Sequence, residues 1–273
     1  MWQMYSIGSL VAGAFESAID KAGIVGDARV DSYAASFYRT FFFFLATLTV
    51  GLTGILGNLQ LFIHWSIVPL AFLGLVSTLL FTYLLRKVEI TVISAASYLT
   101  PILFLIIDTS FLGINLSQAE VLGIILLVCG GIAFSLDGKT EHFKREFTWK
   151  VAGAFVFIYI LQSGIENYTF KHFSDGGLNA ISYYASIWSL TTLLFLGVLL
   201  VKGKMHTLVA RAAVTYIPYA ALGKTFDAFN SILFLSAVSI ATVSQVSAFN
   251  ALFPLVVFIA AVITQSFFGI GLK

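Results

Sequence analysis

The sequence predicts an all-α integral membrane protein, an inverted repeat of five-helix units (5+5 in plan) with about nine transmembrane helices present. Three observations predict it. Mean hydropathy is +0.96 and only 10% of residues are charged, against about a quarter in soluble domains. Thr40–Leu85 and Ala228–Leu272 contain no Lys, Arg, Asp or Glu, and each is long enough for two helical crossings of roughly 20 residues. Third, the chain repeats itself. Glu16, Lys21, Gly26, Ser32, Tyr33, Ala35 and Ser36 return as Glu166, Lys171, Gly176, Ser182, Tyr183, Ala185 and Ser186. Ser94, Ala95, Leu99 and Pro101 return as Ser247, Ala248, Leu252 and Pro254, and Ser110–Ile114 echoes Ser266–Ile270. Charged and tyrosine matches in register set this apart from chance matching in a low-diversity apolar sequence.

Long unbroken apolar runs are helices, not barrel strands, because only those two structures satisfy every backbone group in hydrocarbon. The first helix, Gln3–Gly23, has no basic residues ahead of it and reads as a retained span, not a cleaved leader. The second, Ala34–Ile55, opens near Arg39, and its Phe41–Phe44 run wraps all round the helix, so part of it faces lipid. Trp65–Leu85 is apolar throughout. Thr91–Phe111 carries Ser94, Ser97, Tyr98, Pro101 and Asp108, and Ala119–Leu136 closes the first unit. The polar stretch after it is the natural joint, giving a first repeat at 1–137, a connector at 138–148 and a second repeat at 149–273. In the second repeat come Trp149–Lys171, Leu178–Val201, Ala212–Phe234 and Thr242–Phe267. An odd number of helices per unit makes the second copy enter from the opposite side. The counterpart of the fifth helix is due just after Gly269, so the second repeat is expected to be truncated before its last helix; a natural nine-helix plan is the alternative.

Charged groups inside spans are the first site candidates, because each costs several kcal/mol at mid-membrane unless paired or wetted. Glu16 and Asp20 share a face of the first helix. Glu166 takes the equivalent place of Glu16 in the second copy, which allows a carboxylate pair across the pseudo-two-fold axis. Asp20 and Lys21 are expected nearer the headgroups, snorkelling. On the eighth helix Lys224, Asp227, Asn230 and Ser231 recur at helical spacing and form one polar stripe, which points to a cavity or another helix instead of lipid. The plainer alternative is a Lys224–Asp227 pair that only locks packing. Gln245 and Asn250 offer amides on the ninth helix, while Ser94 and Tyr98 offer hydroxyls on the fourth. Pro101 and Pro254 each remove a helix donor and free carbonyls one turn back. Tyr183 and Tyr184 could line a pocket; Trp188 is expected in an interfacial aromatic belt.

The ordering of these pieces resembles the drug/metabolite transporter superfamily, and in particular its ten-helix proteins with two EamA-type repeats. The resemblance spans essentially the whole chain. It rests on Ala35-Ser-Phe-Tyr-Arg39 at the start of the second helix, Pro101, Gly113, Leu116-Ser117, Gly123 and Gly130. The chain departs from that pattern at Ala12, Ile114 and Ile270, where relatives carry Trp or Glu. The resemblance implies a multi-pass secondary carrier in a lipid bilayer, expected in a prokaryotic cell membrane. It would move small metabolites such as amino acids by alternating access, as an exporter, with proton coupling open and no cofactor. An organic-phosphate or nucleotide-sugar exchanger is the alternative within transport, and a non-transporting membrane scaffold the alternative outside it. Orientation is drawn two ways. Arg29, Arg86, Lys87, Lys139, Lys144, Arg145, Lys150, Lys202, Lys204, Arg211 and Lys273 gather on one side, which the positive-inside rule makes cytoplasmic, with Met1 outside. The resemblance implies cytoplasmic termini.

Other function classes find no support. Net charge is +2, so nucleic-acid binding has no electrostatic basis. His64, His142, His172 and His206 stand apart, so no metal site or enzyme is expected, and lone Cys129 excludes an intrachain disulfide. Gly138-Lys-Thr140 and Gly223-Lys-Thr225 each lack the upstream glycine of a P-loop, having Ala133 and Pro218 there.

Overall fold

The fold is taken from a computed structural model of the chain. It describes residues 1–26, 30–54, 59–60, 62–85, 99–136, 146–252, 256 and 259. Among them the helices are α1 (Trp2–Gly26), α2 (Ser32–Thr53), α3 (Ile67–Leu85), α4 (Leu99–Ile106), α5 (Gln118–Leu136), α6 (Glu146–Ser174), α7 (Ala180–Val201), α8 (Arg211–Ile240) and α9 (Val243–Ala248). A π-helical turn, Ile107–Phe111, extends α4, and a 3-10 turn, Phe249–Leu252, extends α9. The protein is an all-helical membrane fold. By length and composition α2, α3 and α7 can each cross a bilayer. The expected spans coincide with α1 to α8 within a few residues at most ends. The eighth is longer than expected, 30 residues, or about 45 Å. The ninth is described only as a short helix, because most residues beyond Leu252 lie outside the described ones, as do residues 86–98 ahead of α4.

Local chemistry starts and stops these helices. Asp31 caps α2 by accepting from the Tyr33 amide at 2.8 Å, and Asn179 caps α7 by accepting from the Ser182 amide at 2.8 Å. Gly54, at φ 67°, ends α2 in the left-handed region that a glycine enters without strain. Thr242 and Gln245 form a reciprocal capping box at α9, and Ser117 with Glu120 forms another at α5.

Helix pairing follows a pattern. The first helix of the chain packs on α8, and α6 packs on α3. The second helix, α2, packs on α7 and α8, α7 packs on α3, and α4 packs on α9. Exchanging α1–α4 for α6–α9 maps this set of contacts onto itself. The core lies between these pairs, with Phe43, Tyr183, Ile187, Ile232 and Leu235 buried in one cluster and Ile24, Leu84, Leu85 and Tyr216 in another. Small residues bring α1 and α8 together. A Cβ on Gly23 would lie 2.6 Å from the Tyr219 Cβ, and one on Gly223 would lie 2.9 Å from Asp20 Oδ1. Close approach of this kind is how helices associate where solvent offers no hydrophobic drive.

Gly23→Ala is therefore expected to cost about 1–3 kcal/mol by overpacking, read as a lowered melting temperature of purified protein. Gly130→Ala, whose Cβ meets nothing within 4 Å, should leave it unchanged or slightly raised. A second expectation concerns the α2 cap. Burial works against ionisation of Asp31, but hydrogen bonds from Lys204 Nζ and the Tyr33 amide outweigh it and hold the carboxyl below its ordinary 3.8. The depressed value means this contribution is fully present above the unfolded pKa and is lost as pH falls through the folded one. Asp31→Asn should thus destabilise by less than about 1 kcal/mol at neutral pH. The difference from the parent should vanish in melts taken well below pH 3.8.

Candidate functional site

Five charged side chains from three helices meet inside the bundle. Glu16 and Asp20 come from α1, Arg39 from α2, and Lys224 and Asp227 from α8. Arg39 pairs with Asp20, and its Nη2 lies 3.4 Å from Glu16 Oε1. Lys224 Nζ pairs with Glu16, lies 3.0 Å from Asp20 Oδ2 and donates to Asp227 Oδ2 at 2.7 Å. The Arg39 guanidinium also rests on the Phe81 ring, 4.7 Å from its centroid. Asp20 is wholly buried and Arg39 and Lys224 nearly so, whereas the Asp227 side chain keeps 23% of its surface. Three carboxyls thus face two cations. Desolvation of so many charges is affordable only because each has an opposite partner within contact.

Asp20, expected to snorkel near the headgroups, is instead wholly buried. The first helix runs to Gly26, three residues past the expected end, which sets Asp20 inside the bundle against Gly223. Lys21 has no described side chain. Tyr216 was not among the expected site residues. It is fully buried, within electrostatic reach of Asp20, Arg39 and Lys224. Its signal in the sequence was weak, a tyrosine two turns ahead of Lys224 on the same helix.

Glu166 is buried as well, but in different company. Its carboxyl lies near the Tyr184 hydroxyl, and Gln162 Nε2 lies 3.4 Å away. Tyr184 in turn neighbours Ser231 of α8, and Gln162 Oε1 accepts from Ser77 of α3 at 2.5 Å. No Lys or Arg stands on α3 or α7, the helices that correspond to α8 and α2. Among the described residues, no salt bridge reaches Glu166. Glu16 and Glu166 thus have different surroundings: the first sits among cations and the second among neutral side chains. Tyr159 lies within electrostatic reach of Glu166, Asp227 and Glu16, so the two acidic centres share a field.

The polar stripe on α8 faces inward along its length. Asn230 accepts from Ser9 Oγ of α1 at 2.6 Å and Lys224 pairs with Glu16 of α1, while Asp227 is held by Lys224 on its own helix. Roughly opposite on the same helix, Ala221, Thr225, Phe229 and Leu233 line an apolar cleft of about 570 Å³ against α2. Tyr183 is fully buried and donates to the Glu166 carbonyl at 2.9 Å. Trp188, expected in an aromatic belt, packs into the bundle. Its ring packs against Phe43 at 4.8 Å and its indole nitrogen is buried without a hydrogen-bond partner.

Other expected residues fall elsewhere. Ser94 and Tyr98 lie outside the described residues, and Asn250 has no described side chain. Gln245 closes the α9 capping box and donates to Glu120 at 2.6 Å, away from both acidic centres. Among the described residues no cluster of His, Cys, Asp and Glu is arranged to hold a metal ion.

Residues 4–136 match the EamA-like transporter family. Over that segment, just under half of its length, the chain is similar to this family of membrane transporters. The match covers α1 to α5, including Glu16, Asp20 and Arg39. No curated protein shows significant similarity in sequence. A crystal structure of another protein aligns with a TM-score of 0.61 at 13% identity, covering 96% of this chain and 89% of that one. At that identity the likeness speaks for the fold. EamA proteins are transporters of small molecules, not enzymes, which accords with a buried polar centre in an all-helical membrane bundle.

If each buried cation balances its neighbours, Lys224→Met should cost several kcal/mol, about 3–5, because it strands carboxylates in the bundle. Reversible unfolding in mixed detergent would measure it. Adding Asp227→Asn to that variant should recover part of the loss.

Proposed function

We propose that this protein is a secondary carrier for small metabolites bearing an amine, such as amino acids. It would work by alternating access between two inverted helical units. The observation that carries this reading is the pairing of α1 with α8 and α6 with α3 around two buried acidic centres. Exchange of partners between the halves is what a two-fold arrangement of units 1–137 and 149–273 would produce, with substrate binding near the interface.

In this reading the two centres divide the work. The cluster of Glu16, Asp20, Arg39, Lys224 and Asp227 ties α1 and α2 to α8 and holds the halves together. Glu166, with no cation beside it among the described residues, is the group free to take up a proton or meet a substrate ammonium, with Tyr184 and Gln162 near it. Asp227, partly exposed beside Ser231 and within the field of Glu166, lies between them. A phosphate or nucleotide-sugar exchanger fits less well, because it needs cations facing a substrate and both Arg39 and Lys224 are taken up by carboxylates. A scaffold has no use for an unpaired buried acid.

A thermal-shift screen with amino acids, sugars, nucleosides and polyamines would find a ligand, and proteoliposomes would then test the coupling. An imposed pH gradient should drive uptake of that ligand by the parent protein. In Glu166→Gln the gradient dependence should disappear while ligand exchange persists. An unchanged gradient response in that variant would remove Glu166 from the mechanism.

A further inference from the structure

Where α8 turns into α9, the chain is held by two side chains of opposite charge from two other helices. Lys171 of α6 donates to the carbonyls of Val238, Ser239 and Ala241 at 2.9, 3.1 and 3.2 Å, gathering the free carbonyl end of α8. Asp108 accepts from the Ser244 amide at 2.9 Å through one oxygen and from Tyr168 OH at 2.9 Å through the other. Asp108 is wholly buried, as is Ser244.

Three features separate this contact from ordinary capping. The capping box already serves α9, since Thr242 Oγ1 takes the Gln245 amide and Gln245 takes the Thr242 amide. Asp108 is therefore a second, cross-chain anchor, reaching from α4 to α9 and α6, from the first half of the sequence to the second. It also sits in the π-helical turn Ile107–Phe111, where the α-helical ladder of α4 gives way. Single π-helical turns within α-helices are found frequently at functional sites. Finally, α8 is tied to α1 and α2 at a separate place, through Lys224. One helix is thus tethered at two levels, once by Lys224 and once at its carboxyl end.

We propose that Asp108, Tyr168 and the Ser244 amide form a latch that closes the path at the Ile240–Thr242 end of the bundle. The Glu16–Asp20–Arg39–Lys224 cluster closes the other end. Release of the Ser244 amide, with a register shift in the π-turn, lets α9 swing from α4 while Lys171 keeps the end of α8 in place. This rests on the alternating-access reading, but it can be tested without a substrate.

The experiment uses purified protein in nanodiscs on a Cys129→Ser background. Single cysteines replace Ser247, buried on α9 beside the latch, or Ser36, buried on α2 near the charge cluster. Labelling by a charged thiol reagent is timed. Asp108→Ala and, separately, Tyr168→Phe should speed labelling at position 247 by about tenfold or more while leaving position 36 unchanged. Asp108→Asn, which keeps an acceptor for the Ser244 amide, should give an intermediate rate. The phenylalanine variant changes little volume, so it serves where the alanine variant folds poorly. Unchanged labelling at 247 in both variants, or equal acceleration at 247 and 36, would overturn the latch. Neither result depends on whether Glu166 couples transport.

Discussion

A single ammonium group underlies much of this structure. Lys224 lies against carboxyls from α1 and from its own helix, and with Arg39 it makes the burial of Glu16 and Asp20 tolerable. Glycines at 23 and 223 then let α1 and α8 approach closely enough for those contacts to form. The order of dependence runs from small residues, to helix proximity, to ion pairing, to a fixed relation between the two parts of the chain. Removing a methylene-sized space at the helix contact and removing a charge at the cluster act on the same interface.

The two acidic centres separate structure from chemistry. A carboxylate with an arginine and a lysine beside it gives up little by staying ionised, and it serves as a tie. A carboxyl whose neighbours are a tyrosine and a glutamine has no opposing charge to hold it in one state. Duplication would have supplied the same acid at both places; the surrounding helices, charged in one case and free of charge in the other, made them different.

Much of this was legible from residue order. Composition and charge-free runs defined the membrane class, and the repeat located Glu166 as the partner in sequence of Glu16. The inward stripe of Lys224, Asp227, Asn230 and Ser231 followed from spacing alone, as did the Lys224–Asp227 pair. What spacing could not convey was depth. Asp20 was set at the headgroups because the helix was ended at Gly23, and a difference of three residues moves a charge by about 4.5 Å along the axis. Trp188 was placed at the interface on composition, whereas its partner Phe43 comes from a distant part of the chain. Gln245 is a helix cap, a role that depends on where the chain breaks between α8 and α9, and α8 runs six residues beyond its expected end.

The uneven distribution of cations also governs which halves can associate. No lysine or arginine occurs on α3, so a first half paired with a second copy of itself would confront Glu16 and Asp20 with a chargeless helix. Two such copies would bury four acids around two arginines, an arrangement with a heavy electrostatic cost. Self-association of the unit is thereby disfavoured, and the complementary unit is selected by charge instead of by shape.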